Sequence, residues 1–307
     1  VYAYLDDLIR IQFKARGFSF LPRQPIHSLL AGRHASRLRG RGLNFEEIRR
    51  YLPGDDVRNI DWKVTARTQK AHTRIFTEER ERPVLLLVDQ RVSMFFGSQA
   101  AMKSVTAAEA AALGAWRVLD VGDRVGALVF NDSDITEIKP HRSPKRVMQI
   151  LQAVIDMNHA LSIDAGITPA PDMLNQALKK AAYLAKHDYL IVIISDLDGA
   201  DSESERWVSR IARHNDLIVC LIFDPLEAQL PSEGGRLVIS DGEFQLELDT
   251  SSGKVRRDFA ENFDQALQDT KAWLSRRGIP ILPLDTSGDV ASQVRRILGH
   301  TSGTRRG

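Results

Sequence analysis

The sequence predicts an α/β fold: a mainly parallel, six-stranded sheet flanked by helices, preceded by a small β-rich region. Three observations point there. From residue 83 onward, short apolar runs alternate with stretches of helical periodicity, the pattern of successive βαβ units. The runs Val84–Val88 and Leu190–Ile194 are continuously apolar, as strands buried on both faces of a parallel sheet are. None of these runs approaches the ~20 apolar residues that span a bilayer.

Taken in order, the first 82 residues read as a basic, irregular and β-rich front. They hold 17 Lys/Arg against 10 Asp/Glu, whereas the whole chain of 307 residues carries a net charge of only +2. A basic front and an acidic body suit different partners or a mutual docking surface, and suit equally an ordinary solvated surface. Within the front, Ile60–Trp62 and His72–Phe76 are candidate strands. The body, residues 83–300, opens on strand Val84–Val88, followed by an Ala-rich helix over Ala100–Leu119. Gly122-Asp123 turns the chain into strand Val125–Phe130, and Asn131-Asp132-Ser133 is a hairpin signal leading to an antiparallel edge strand, Ile135–Ile138. Helices over Pro144–Met157 and Pro171–Lys186 each start on a proline, where a missing N–H costs little. Strand Tyr189–Ser195, helix Glu203–His214 and strand Leu217–Phe223 continue the alternation. A hairpin insertion over about 225–255, with arms Leu237–Ile239 and Phe244–Leu248, interrupts it. Helix Asp258–Arg276, strand Ile279–Leu284 and helix Val290–Leu298 complete the body, and residues 301–307 form a polar tail expected to fray.

The hydrophobic fraction of 43% and charged fraction of 27% are those of an ordinary globular protein. The single cysteine, Cys220, allows no intrachain disulfide and fits a reducing compartment. Asp6 and Asp7 stand where a secretory signal would be basic, so a cytoplasmic location is expected.

In an open parallel sheet, ligands bind beyond the carboxyl ends of the strands, where the strand order reverses. The loops there read Asp89-Gln90-Arg91-Val92-Ser93 after the first strand of the body, Ala165-Gly166-Ile167-Thr168-Pro169 before a helix, and Asp196 after Ser195. Asp89, Ser93, Thr168 and Asp196 are hard oxygen donors of the kind Mg²⁺ accepts. They resemble, position by position, the metal-ion-dependent adhesion site of the von Willebrand factor A (vWA) fold. That family has Asp-x-Ser-x-Ser in the first loop, a Thr in the second and an Asp in the third. Arg91 departs from it by standing where the first Ser belongs. A guanidinium cannot ligate a cation. Turned inward it would pair with Asp89 or Asp196 and take the metal's place electrostatically; turned outward it would leave Ser93 and the other donors to hold Mg²⁺ weakly. The preferred mechanism is a bidentate pair between this guanidinium and a partner's carboxylate, in place of a metal. The plainer reading is that these residues are ordinary loop turns and caps.

A longer match lies upstream. Gly40-Arg41-Gly42-Leu43-Asn44-Phe45-Glu46-Glu47-Ile48-Arg49, then Tyr51-Leu52-Pro53-Gly54-Asp55-Asp56-Val57-Arg58-Asn59-Ile60-Asp61-Trp62, then Thr65-Ala66-Arg67-Thr68, resemble the core of the domain-of-unknown-function-58 family. There the stretch precedes a vWA-like body. The likeness runs on through Glu79–Pro83, the Asp89 loop and Gly122–Gly126, covering about residues 30–200. It implies a non-enzymatic protein-binding module, an adaptor or chaperone-like partner of a MoxR-type AAA+ ATPase and its client, with Mg²⁺ in doubt because of Arg91. Within the motif, Asp55, Asp56 and Asp61 lie in sequence among Arg49, Arg58 and Arg67. They form either an internal ion-pair network that fixes the front onto the body or a surface for the partner.

Two other classes deserve weighing. Ser195-Asp196-Leu197-Asp198-Gly199 resembles the Asp-x-Asp loop of haloacid-dehalogenase-like phosphatases, which would make Asp196 and Asp198 the groups of a metal-dependent phosphohydrolase. It follows a middle strand, though, and Ala200 replaces the usual Thr. The Arg33–Arg41 stretch offers a basic patch for nucleic acid, without a recognisable nucleic-acid motif.

Overall fold

A computed structural model describes residues 1–15, 43–78 except 54, 82–162, 166–228, 236–240, 245–249 and 272–299, with a few isolated positions between 253 and 270. The chain divides into two units, residues 27–81 and the remainder. Helix α1 (Leu5–Arg10) belongs to the larger unit, although the sequence places it with the basic front. Leu8 is buried in the main core, and the amide of Ala3 donates to Asn158 Oδ1 at 2.8 Å.

In the small unit, strand β1 (Leu43–Arg50) pairs antiparallel with strand β2 (His72–Glu78), and helix α2 (Trp62–Thr68) lies between them in sequence. The expected strand over Ile60–Trp62 is not formed. Ile60 makes a single bridge to Thr73, and Trp62 starts α2. The cause is Asp61, whose Oδ1 accepts the Lys63 and Val64 amides, each at 3.0 Å, and so caps a helix start.

The large unit carries the expected vWA-like sheet. Its elements are β3 (Pro83–Asp89), α3 (Lys103–Asp120), β4 (Arg124–Phe130), β5 (Ile135–His141), α4 (Pro144–Ala160), α5 (Asp172–Leu184), β6 (Leu190–Ser195), α6 (Ser202–Ala212), β7 (Asp216–Phe223), the short α7 (Pro225–Ala228), the hairpin β8 (Arg236–Ser240) and β9 (Gln245–Asp249), β10 (Ile281–Asp285) and α8 (Val290–Leu298). The strand order is β10-β7-β6-β3-β4-β5, with β5 alone antiparallel. The hairpin stands in its own two-stranded sheet, and the tail over 301–307 lies outside the described residues.

Side-chain alternation along β3 explains the two layers. Val84, Leu86 and Val88 join the core made with α1, α3, α4 and α8, whereas Leu85 and Leu87 join the core made with α5, α6 and the helical residues 272–275. Both faces are therefore covered, and continuous apolar strands are the result. The order reverses between β3 and β6, which sets the carboxyl ends of those two strands, at Asp89 and Ser195, beside each other. Among the described residues no helix is long and apolar enough to cross a membrane.

Candidate functional site at the carboxyl edge of the sheet

β3 delivers Asp89 fully buried at its last position, and the chain turns back so that Arg91 covers it. Arg91 Nε lies 3.0 and 3.1 Å from the two carboxylate oxygens of Asp89, and Arg91 Nη2 donates to Oδ2 at 2.7 Å. Ser195 Oγ adds a 2.7 Å hydrogen bond to the same oxygen, and the Arg91 amide donates to Oδ1. The rest of the guanidinium is used as well. Nη2 donates to the Asp198 carbonyl at 3.1 Å and lies 3.7 Å from Asp196 Oδ1, while Nη1 reaches the Pro171 carbonyl at 3.4 Å. The Phe130 ring lies beneath it, 5.8 Å from centroid to cation. Arg91 is 1% exposed. Burial works against this cation, but Asp89 and Asp196 outweigh it and hold the guanidinium charged. Burial pushes the Asp89 carboxyl above the ordinary carboxylate value, against the pull of Arg91.

Asp196 has its own cation. Lys103, at the first turn of α3, donates to Asp196 Oδ2 at 3.0 Å and to Glu227 Oε1 at 2.6 Å, with Phe96 5.9 Å from its ammonium. Burial raises the Asp196 carboxyl, but Lys103 and Arg91 overcome it and the net direction is downward. The brace continues sideways. Glu227 Oε2 accepts the Asp224 amide, and the buried Asp224 carboxylate accepts from the Ser98 amide and hydroxyl, the Leu226 amide and Thr286 Oγ1. Asp132 ties the first two loops by accepting the Val92 amide at 2.7 Å and the Ala170 amide at 2.9 Å. In the third loop Leu197 sits in the left-handed region at φ 60°, held by the hydrogen bond that its backbone N–H donates to Ser195 Oγ. A Cβ at Gly199 would meet Pro171 Cβ at 2.5 Å, so only glycine lets the second and third loops meet there.

The expected metal ligands divide. Asp89 and Asp196 flank one guanidinium. Ser93 Oγ is buried without a partner, Thr168 is exposed, and no hydrogen bond among the described residues joins either to the two carboxylates. Orphaned Ser93 is the one feature that suits Mg²⁺. Against it, each buried carboxylate already has an internal cation within hydrogen-bond reach. No cluster of three or more His, Cys, Asp or Glu side chains among the described residues suits a metal. The residues present do not fit the ion. The partner-binding role expected of Arg91 is corrected too: its fork holds Asp89 and its side chain is buried, so it cannot receive a partner's carboxylate. A nucleophilic Asp196 is equally unsupported, because that carboxylate is locked to Lys103 and receives the Asp198 amide.

Sequence reasoning missed Lys103, Asp132 and Asp224. For Lys103 a signal existed: a lysine in the first turn of a helix runs against the macrodipole, and such a local conflict points to a carboxylate nearby.

In the small unit, Arg49 grips Asp55 bidentately at 2.8 and 2.9 Å, and Arg49 with the Leu52 amide keeps the Asp55 carboxyl below its ordinary value. Asp56 accepts the Arg58 amide, and its ion pair to Arg58 is long and exposed at 3.6 Å. Asp61 pairs with Arg74 at 2.9 Å rather than with Arg58 or Arg67, a partner that β2 supplies from across the hairpin. The Val64 amide and Arg74 hold the Asp61 carboxyl down. Arg58 and Arg67 are exposed, as are Leu52, Val57 and Trp62. The Arg33–Arg41 stretch lies outside the described residues.

A family profile described as "Protein of unknown function DUF58" matches residues 47–269. An uncharacterized protein of Mycobacterium bovis and two of Mycobacterium tuberculosis are each 29% identical over 278 residues, covering 90% of this chain and 85% of theirs. Among solved structures, the conserved hypothetical protein BatB from Bacteroides thetaiotaomicron is 15% identical with a TM-score of 0.43, covering 70% of this chain and 95% of its own. The SpRpn10 VWA domain is 12% identical with a TM-score of 0.38, covering 71% and 95%.

Proposed function

Since the chain belongs to the DUF58 family, we propose that it is a non-enzymatic protein-binding module, an adaptor for a MoxR-type AAA+ ATPase and its client, whose vWA-like edge recognises its partner without a metal. The observation that carries this reading is the buried Asp89–Arg91 pair, with the guanidinium standing between the two carboxylates that a metal would need. The ATPase as partner rests on the family resemblance alone. A cytoplasmic setting accords with the lone, buried Cys220.

The physical advantage of such an edge is pre-organisation. Three loops are cross-braced by Arg91, Asp132 and Lys103, so a partner does not have to order them on binding. The exposed rim above the braces includes Thr168, Asp198 and Asp134, an acidic surface for a basic partner.

The test is capture of the purified ATPase by the full chain, with Thr168→Lys and Asp198→Lys combined as the rim variant. The wild-type chain is expected to hold the ATPase and the variant to lose it, while calorimetry of the chain alone with Mg²⁺ shows no heat of binding. Undiminished capture by the variant, or saturable Mg²⁺ binding by the wild-type chain, would overturn the reading.

A further inference from the structure

At the opposite edge of the sheet, α5 and α6 end side by side and enclose an open cleft of about 820 Å³. Its walls carry Lys186, Arg206, Arg210, Arg213 and Arg277 against one carboxylate, Glu205. Glu205 is already matched by Arg277, at 3.3 Å, and Arg277 also donates to Ser209 Oγ and the Trp273 carbonyl. Lys186, Arg206, Arg210 and Arg213 are exposed and form no ion pair among the described residues.

Part of this charge has a local explanation. Cations near the last turn of a helix complement its dipole, which accounts for Arg213, Arg210 and Lys186 singly. It does not account for their convergence with Arg206 on one cleft. Arg206, Arg210 and the helical C-cap residue Arg213 follow the i, i+4, i+7 spacing that aligns them along one face of α6 and its end, a stripe roughly 10 Å long. Arg210 is also held in place: its guanidinium lies 5.6 Å from both the Tyr183 and Trp207 rings. A cation fixed over aromatic faces loses little freedom on binding.

We propose that this cleft binds an acidic segment of a protein partner, its carboxylates spaced along the chain to meet the stripe. Two features favour this over a phosphate-bearing ligand. The cations are spread along α6 and the carbonyl end of α5 rather than gathered at one point, which suits dispersed carboxylates better than the concentrated charge of one phosphate group. Arg210 already lies against the Tyr183 and Trp207 rings, so a nucleic-acid base stacking there would have to compete with it. The cleft is distinct from the Asp89 edge, so its test does not depend on the ATPase.

The experiment titrates the full chain into a fluorescein-labelled peptide of ten alternating Asp and Glu residues, and separately into a labelled ten-nucleotide oligothymidylate. Saturable peptide binding that weakens with salt is expected. Arg206→Glu with Arg210→Glu should weaken it by roughly tenfold or more, since two exposed attractions become repulsions. Lys186→Glu with Arg213→Glu, which leaves the aromatic stack intact, should do the same and guards against a folding defect in the first pair. Absence of saturable peptide binding, binding by both charge-reversed variants as tight as that of the wild-type chain, or tighter binding of the oligonucleotide than of the peptide would overturn the proposal.

Discussion

Replacing Arg91 by methionine removes the charge from the carboxyl edge while roughly keeping its bulk. Asp89 would keep the amide of residue 91 and the Ser195 hydroxyl but lose every side-chain donor that Arg91 supplies. The carboxylate is 0% exposed, so no water replaces them. Removing one partner of such a pair costs about 3–5 kcal/mol, against a typical domain stability of about 5–15 kcal/mol. The loss should depend on pH. Burial already holds the Asp89 carboxyl above its ordinary value of 3.8 with Arg91 present, and its removal raises it further. A carboxyl raised in the folded state binds its proton more tightly there. The penalty is therefore absent below the ordinary range, and grows as pH rises through it toward the raised native value. Urea unfolding at pH 5 and pH 8, followed by tryptophan fluorescence, measures both effects. Asp89→Asn with Arg91→Met removes both charges and should recover at least about 2 kcal/mol of the single-variant loss, because the two side chains are directly coupled. A single-variant loss below about 1 kcal/mol, or a double variant no better than the sum of its parts, would refute an internally neutralised site.

Three further outcomes follow from the same edge and its surroundings. Lys103→Met leaves Asp196 only its longer pairing with Arg91 and leaves Glu227 without a cation among the described residues, and should cost about 3 kcal/mol in the same unfolding assay, with no recovery on adding Mg²⁺. The Asp224 carboxyl is held below 3.8, where burial raises it but the Ser98 and Thr286 hydroxyls prevail. Its contribution is present above the ordinary value and lost as pH falls through the lowered one, so Asp224→Asn should flatten the acid limb of a stability profile taken from pH 6 to pH 3. Cys220, its thiol pushed up to about 12 by burial, should react with a thiol reagent only after unfolding, as mass spectrometry of native and urea-treated chain would show.

The sheet was legible because burial on both faces imposes the same demand on every residue of a strand. Val84–Val88 and Leu190–Ile194 satisfy it without a polar break, and the structure pairs them in register. β1 was not legible as a strand, since of its apolar residues Leu43 and Phe45 stand two apart but Ile48 follows after three, a helical interval. A register shift between Phe45 and Glu47 accounts for that spacing, and only the pairing with β2 reveals it. Asp89, Arg91 and Asp196 could be brought together from strand ends and a motif, but the direction of the Arg91 side chain could not. Burial of a guanidinium depends on how many acceptors surround it, and beyond the neighbouring Asp89 these come from Pro171, Asp196 and Asp198, 80 or more positions away.

Arg91 and Lys103 should be read together. Two buried carboxylates, Asp89 and Asp196, face each other across a strand boundary, and like charges in low dielectric would drive a proton onto one of them. A divalent ion would resolve that conflict with charge that can dissociate. Here covalently attached cations resolve it, one on the first loop and one at the start of α3, and neither can leave. On the proposed reading, the edge cannot be switched by metal concentration. Control would have to act on the rim, or on the partner's own conformational cycle. Capture of a MoxR-type ATPase that does not change when Mg²⁺ is added to the chain is what the proposed reading requires of this arrangement of charges.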